Sequence, residues 1–364
     1  MARKLKSDRI LFTAAMLLVF VSVVMVYSAS AAWAFDRFGQ ANMYLTRQAL
    51  WTALGLVALA VAMRIDYRSY RNEAFIWAIT GVVGVFLVLV LFRVPVNGAR
   101  RWLNLGGLGI QPSELAKIAA VLFTALTLER RMHRIDELRY SLLPIAIVVG
   151  AMSGLILLQP DLGTAVSLLL VVGTMVFAAG INYRYLVGAV LAAVPVLYFA
   201  IMSASYRQRR LMAFWDPWAD PLGEGYQLIQ SLIAVSTGGV FGRGLMGGVQ
   251  KLFFLPEPHT DFIYAVISEE LGLAGATVVL ACFCVIAWRG VRIAMRAQDA
   301  FGSFLALGLT TMIAVQALVN ISVVLGLLPT KGIPLPLVSA GGSSLLISLL
   351  GVGMLLNVSQ HEAT

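Results

Sequence analysis

The sequence predicts an all-α, polytopic membrane protein with about ten transmembrane helices and one long extracytoplasmic loop between the seventh and eighth. Three observations carry this. The chain is 60% hydrophobic and only 12% charged, whereas a soluble domain carries about 25% charged residues. Its mean hydropathy is +0.86. Its apolar stretches are continuous and repeatedly reach the ~20 residues that a helix needs to cross the ~30 Å hydrocarbon core. Inside that core only helices and closed barrels satisfy their own backbone groups, and unbroken apolar runs select helices.

Apolar segments fall at about 10–32, 46–63, 75–92, 113–128, 142–158, 162–181, 186–203, 262–288, 303–327 and 338–357. They form one domain spanning 1–364. The first follows Arg3, Lys4, Lys6 and Arg9 and ends near Ala32-Trp33-Ala34, which has the grammar of a signal peptide. It is nevertheless long enough to span, and it reads as an uncleaved first helix. The fifth and sixth segments are separated by little more than Gln159-Pro160-Asp161, a tight helical hairpin. Cys282 and Cys284 lie in one apolar run at i, i+2 and point to different helix faces, so they read as small apolar fillers. No internal repeat is visible.

The net charge of +9 could suggest nucleic acid. Basic residues in short cytoplasmic loops orient helices, however, and that reading accounts for the charge without a nucleic-acid partner. With the N-terminus in the cytoplasm, the cytoplasmic segments hold fifteen Lys and Arg: Arg3, Lys4, Lys6, Arg9, Arg64, Arg68, Arg71, Arg130, Arg131, Arg134, Arg139, Arg184, Arg289, Arg292 and Arg296. The short outer segments hold six: Arg37, Arg47, Arg93, Arg100, Arg101 and Lys331. Both termini are therefore expected in the cytoplasm. The long loop, about 204–260, carries Phe214-Trp-Asp-Pro-Trp218, whose tryptophans suit an interfacial belt. It also carries an amphipathic stretch from Tyr226 to Val235, with Tyr226, Ile229, Leu232 and Ile233 at helical spacing. Gly238 suits the end of that helix.

Residues that could carry chemistry cluster on the outer side. Leu255-Pro-Glu-Pro-His-Thr-Asp-Phe-Ile-Tyr264 closes the long loop and opens an apolar helix. It sets Glu257, His259 and Asp261 where a carboxylate is costly without a role or a partner. Asp261 is equally a base able to take a proton from a hydroxyl and an N-cap of the helix behind it. Glu269 and Glu270, further in, read as ion-paired structural residues rather than metal ligands. Glu114 and Lys117, at i, i+3, either neutralise one another or leave Lys117 facing a phosphate. Arg100-Arg101-Trp102 and the group Arg207, Arg209, Arg210 suit either a pyrophosphate ligand or lipid headgroups. Asp161 caps the sixth helix or binds a cation. A single histidine makes no metal site, so His259 is a ligand, an acid–base group or a turn residue. Pro329-Thr-Lys-Gly-Ile-Pro-Leu-Pro336, followed by Ser339-Ala-Gly-Gly-Ser-Ser344, offers glycines for close backbone approach.

Taken together these stretches resemble the SEDS family (shape, elongation, division and sporulation) of bacterial cell-wall polymerases. The motifs that carry the resemblance run in family order along nearly the whole chain. They are Arg101-Trp102, Gln111-Pro-Ser-Glu-Leu-Ala-Lys117, Gln159-Pro-Asp-Leu-Gly163, Asp216-Pro-Trp-Ala-Asp-Pro-Leu-Gly-Glu-Gly-Tyr-Gln227, Phe254-Leu-Pro-Glu-Pro-His-Thr-Asp-Phe262, and Gly332-Ile-Pro-Leu-Pro336 with Gly341-Gly-Ser343. Trp218, Gln250-Lys251 and Pro329-Thr-Lys-Gly332 are closer to the division branch than to the elongation branch. Ala340 departs from the aromatic residue that the family often has before Gly-Gly.

The resemblance implies a glycosyltransferase, located in the bacterial cytoplasmic (inner) membrane, that polymerises lipid II onto an undecaprenyl-pyrophosphate-linked glycan. It makes Asp261 the essential carboxylate. Substrate contacts are expected at Arg101, Glu114, Lys117, Asp161, Arg210, Glu257 and His259. The family further implies a divalent cation, Mg2+ or Mn2+, at an unknown site. The implied partners are a class B penicillin-binding protein and other divisome or elongasome proteins. An elongation-type polymerase, a lipid II flippase and an inactive recruiting scaffold are the alternatives.

Overall fold

A computed structural model describes residues 7–94, 99–105, 108–135 and 137–362; Arg3, Lys4 and Lys6, used above for orientation, lie outside the described residues. Each apolar segment becomes a helix. These are α1 (Arg9–Phe38), α2 (Met43–Arg64), α3 (Glu73–Leu91), α4 (Pro112–Arg131), α5 (Leu138–Leu158), α6 (Leu162–Ala178), α7 (Tyr183–Met202), α10 (Ile263–Arg296), α11 (Ala300–Val324) and α12 (Gly342–Gln360). Eight are long and apolar enough to cross a membrane. The other two are α6, which has only 17 residues, and α4, whose Glu114, Lys117, Glu129, Arg130 and Arg131 dilute its hydropathy. The protein is therefore a multi-pass membrane protein. A two-stranded hairpin, β1 (Leu103–Leu105) and β2 (Leu108–Ile110), precedes α4.

α4 is buried along nearly its whole length, from Pro112 to Leu128, and packs against α3, α5, α6, α11 and α12. Its mixed polarity is thus matched to protein neighbours rather than to lipid. α12 starts at Gly342 rather than 338 because 335–340 turns back on itself, with Val338 N–H and Ser339 N–H both donating to Leu335 O. At the end of the bundle opposite residue 261, Asp8 caps α1 and pairs with Arg289, Tyr67 Oη donates to Asp299 at 2.6 Å, and Asn357 accepts from Tyr67 N–H at 2.8 Å. These bonds tie the ends of α1, α2, α10 and α12 to the start of α11.

The long loop contains α8 (Ser205–Trp215) and α9 (Tyr226–Thr237). The expected amphipathic helix is α9, but its buried face is rotated slightly: Leu228, Ile229, Ser231 and Ala234 pack inward while Leu232 is exposed. Ser231 fixes this rotation by donating to Val324 O at 2.8 Å. Gly238 follows α9 with an ordinary right-handed φ of −69. Close approach is what demands glycine there, since a Cβ would lie 1.9 Å from Ser268 O.

α10 is two helices in one line of sequence. Gly272 (φ 66, ψ −166) breaks it, and loop 239–244 fills the break. Arg243 and Gly244 N–H donate to Glu269 and Glu270 O at 3.0 Å each, and Leu273 and Ala274 N–H donate to Gly239 and Val240 O at 2.9 and 3.0 Å. Irregular backbone in a membrane protein survives only when its polar groups are met this way. The Glu269 and Glu270 side chains, both fully buried, hold the rest of the loop. Glu269 accepts from Val249 N–H at 2.8 Å, and Glu270 accepts from Met246 N–H, Ser28 Oγ and Lys251 Nζ at 3.0, 2.7 and 2.6 Å. Removing one charge of a buried pair strands the other. Glu270→Gln is therefore expected to cost about 3 kcal/mol in thermal unfolding, with most of it recovered in Lys251→Met/Glu270→Gln. Equal losses in both variants would refute the pairing.

Candidate active site at one end of the bundle

Asp261 sits in the turn just ahead of α10, and the turn is held by its backbone. Thr260 and Phe262 N–H donate to Glu257 O. Three successive carbonyls are then captured from the other side: His259 O by Ala340 N–H at 2.9 Å, Thr260 O by Ser339 Oγ at 2.6 Å, and Asp261 O by Asn320 Nδ2 at 2.8 Å. Asn320 also donates to Ile333 O at 2.8 Å, and Ser339 Oγ accepts from Leu335 N–H at 2.8 Å. The turn bearing Asp261 and the stretch 331–340 are therefore one zipped unit, pinned on α11.

The Asp261 carboxylate faces Gly332. A Cβ at Gly332 would stand 3.0 Å from Asp261 Oδ2 and 3.8 Å from Arg101 Nη1, so glycine is what lets the loop pass between them. Gly332→Ala is expected to displace the carboxylate and lower kcat by about 10–100-fold, because small misplacements of reacting groups are costly. An unchanged kcat in a normally folded variant would refute this. Asp261 retains some exposure, yet protein surrounds its carboxyl on most sides. That desolvation pushes it up to about 7, assisted by Glu257 and Asp161 and opposed by Arg101 and Arg210.

Beside this carboxylate lies a cavity of about 380 Å³ between α6, α7, α8, α11 and the 328–333 loop. Its polar rim carries Arg101, Asp161, Arg207, Arg210 and Lys331, and its deeper wall is apolar, with Leu170, Leu197, Ile201, Val319 and Val323. Arg101 bridges to Asp161 at 3.5 Å and donates to Pro160 O at 3.1 Å. Asp161 caps α6 through Thr164 N–H at 3.2 Å and Thr164 Oγ1 at 2.9 Å, so the capping reading and a place at the cavity rim hold together. Burial holds the Lys331 ammonium below its ordinary range; Asp161 opposes that and Arg207 adds to it. Arg210 also lines a second, more polar cleft of about 540 Å³ with Arg209, Glu224 and Gln227.

Of the residues singled out in the sequence, Asp261, Arg101, Asp161 and Arg210 are brought together. Four others are placed differently. Lys117 is buried against Glu114 at 2.9 Å and Gln316 at 2.5 Å, off the cavity wall. Glu114 and Lys117 thus form a buried ion pair set apart from the lining of this cavity. The acid supplies the charge balance that burial requires, and Gln316 links the pair to the 331–340 stretch by donating to Pro334 O at 3.0 Å. His259 packs its ring 4.6 Å from that of Tyr44, and burial lowers its affinity for a proton despite Glu257; it lies off the cavity wall as well. Glu257 is exposed and accepts from Thr260 Oγ1 at 3.1 Å. It reaches Asp261 through its charge rather than by contact.

Lys331 was not among the sequence's site residues, and Arg207 entered there only as part of a basic group; both line the cavity. Lys331 stands between Pro329 and Pro334 with no acid nearby in sequence, the one available signal. Asn320 and Ser339 gave none, since each looks like an ordinary polar residue in a helix or turn. Among the described residues no group of three or more His, Cys, Asp or Glu side chains is arranged to hold a metal. A protein-only cage for a divalent cation does not fit these residues.

Residues 8–364 match the family profile described as cell cycle protein, that of FtsW, RodA and SpoVE. The probable peptidoglycan glycosyltransferase FtsW of Geobacter metallireducens is 44% identical over 357 residues, covering 97% of this chain and 94% of the relative. Stage V sporulation protein E of Bacillus subtilis is 42% identical, covering 99% of each. A solved structure described as structural coordination of polymerization and crosslinking by a peptidoglycan synthase complex superposes with a TM-score of 0.81 at 32% identity, covering 98% of both chains. The rod shape determining protein RodA of Thermus thermophilus superposes with a TM-score of 0.73 at 28% identity, covering 99% of both. With a profile and relatives matching from end to end, and with the zipped carboxylate turn and basic cavity formed by the very motifs that suggested it, the chain belongs to the FtsW/RodA/SpoVE family of cell cycle proteins, the SEDS family.

Proposed function

We propose that this protein is a peptidoglycan glycosyltransferase that polymerises lipid II into β-1,4-linked glycan strands on the outer face of the bacterial cytoplasmic membrane, in the division branch of its family. One observation carries the reading: a carboxylate beside a cavity with a cationic rim and an apolar wall. That combination matches a substrate with a sugar, a pyrophosphate and a polyprenyl chain. The relatives named as FtsW and the structural likeness to a peptidoglycan synthase complex support it.

The growing strand, on undecaprenyl pyrophosphate, is the donor, and the GlcNAc 4-hydroxyl of lipid II is the acceptor. The Asp261 carboxylate takes the hydroxyl proton as the oxygen attacks the anomeric carbon. The bond from that carbon to the phosphate oxygen breaks, and the pyrophosphate leaves with the electron pair. Direct displacement turns the α-linked donor into a β-linkage. Arg101, Lys331, Arg207 and Arg210 stabilise the charge that develops on the leaving group. Pyrophosphate needs charge neutralisation more than a proton, so one carboxylate with several cations suffices, unlike the two carboxyls of glycoside hydrolases.

The excess of Arg and Lys at the end opposite Asp261 supports both termini in the cytoplasm. A class B penicillin-binding protein is the proposed partner. A flippase needs a path through both leaflets, whereas the charged groups of this cavity gather at one end. Glycan synthesis from purified lipid II, by the chain with its cognate penicillin-binding protein in liposomes, tests the reading. Strands are expected. Transport of lipid II without strands would shift the assignment to a flippase.

A further inference from the structure

The stretch 239–254 takes no part in this chemistry, yet much of the protein's buried charge serves it. Its largest side chains point away from the protein: Phe241 is 84% exposed, and Leu245, Leu252, Phe253 and Phe254 are exposed as well. A water-facing loop of this length would present charges. This one has two, both ion-paired: Lys251 is buried against Glu270 at 2.6 Å, while Arg243, 3.5 Å from Glu269, keeps a side chain 40% exposed. Apart from Arg243, what faces outward is mainly apolar side chains and glycine.

Its depth is fixed independently. The four backbone hydrogen bonds at the Gly272 break hold 239–244 level with residues 269–274 of α10. From Leu273 to Trp288, ahead of Arg289, α10 is an uninterrupted span of 16 residues, or about 24 Å of helix. The hydrocarbon core is about 30 Å thick. The level of Gly272 therefore falls inside or at the edge of the apolar layer. The exposed side chains also continue the lipid-facing surfaces of the neighbouring helices. Phe35 of α1 and Leu273 and Val278 of α10 are exposed, and the rings of Trp33 and Phe253 stack at 5.2 Å.

We propose that loop 239–254 is a membrane-dipping segment whose outward face is immersed in the bilayer leaflet on the Asp261 side, with Glu270 holding Lys251 inside the protein and Glu269 pairing Arg243. The loop anchors the short helical piece 263–271, and so the turn bearing Asp261, to the bilayer surface. The immersion holds whether or not the chain polymerises lipid II.

Nitroxide labels test it. Phe241→Cys, Leu245→Cys and Phe253→Cys are made singly in a Cys282→Ala/Cys284→Ala background, purified as full-length chain and reconstituted in phosphatidylcholine–phosphatidylglycerol liposomes. Val278→Cys marks lipid and Asp220→Cys marks water. Collision with oxygen relative to a water-soluble nickel chelate is measured by power saturation. At two or more of the three loop positions the ratio is expected to match Val278→Cys and exceed Asp220→Cys several-fold. Ratios like that of Asp220→Cys, or shielding from both reagents as under a protein partner or second copy, at two or more positions would overturn the immersion. Each labelled chain is checked for a monodisperse elution profile, so one disrupted variant leaves two to decide.

Discussion

Asp261→Asn is expected to abolish strand synthesis, lowering kcat by about 10²–10⁴-fold, the range supplied by a positioned general base. Nothing else in the protein should change much. The backbone carbonyl of Asp261, which Asn320 holds, survives the substitution. So do the captures of His259 and Thr260 carbonyls. Thermal unfolding and co-purification with the penicillin-binding protein should therefore match the parent. This separates an enzyme from a recruiting scaffold, for which the same variant would keep full function. Residual activity near that of the parent would remove Asp261 from the mechanism.

Arg101→Ala has the second largest expected effect, about 10²–10³-fold in kcat, the range for losing one preorganised group that stabilises transition-state charge. Arg101 touches three parts of the site: the Pro160 carbonyl, the Asp161 carboxylate and, across Gly332, the surroundings of Asp261. Its removal leaves Asp161 without its cation and the leaving group without one of four. Arg101→Lys restores charge but not the geometry that serves Pro160 O and Asp161 at once, so only part of the loss should return. A loss confined to KM, with kcat unchanged, would mean that Arg101 binds substrate and transition state equally.

The helices were legible because each is an apolar run, and lipid makes that pattern close to sufficient. The aspartate was legible because a carboxylate at a membrane boundary needs a reason. Lys117 stood out for the same cause. A buried lysine also needs a reason, and the structure gives it Glu114 and Gln316 as partners. The break in α10 was illegible, since Gly272 is one glycine in an apolar stretch and its partners lie 28–33 residues earlier in loop 239–244. Lys331 was overlooked because what makes it a site residue is the fold of 329–336 onto α6, where a Cβ on Gly163 would sit 2.8 Å from Ile333 Cδ1. Sequence pattern records burial well and long-range backbone capture hardly at all.

In the proposed mechanism Asp261 works as an ionised base in a crowded, mostly desolvated setting. The pH dependence of kcat/KM for strand synthesis tests this most directly. With the carboxyl pushed up to about 7, the base form is lost as pH falls through that value. The rate is therefore expected to be level above it and to fall about tenfold per unit well below it. A profile flat down to pH 5, or one that rises as pH falls, would contradict the account.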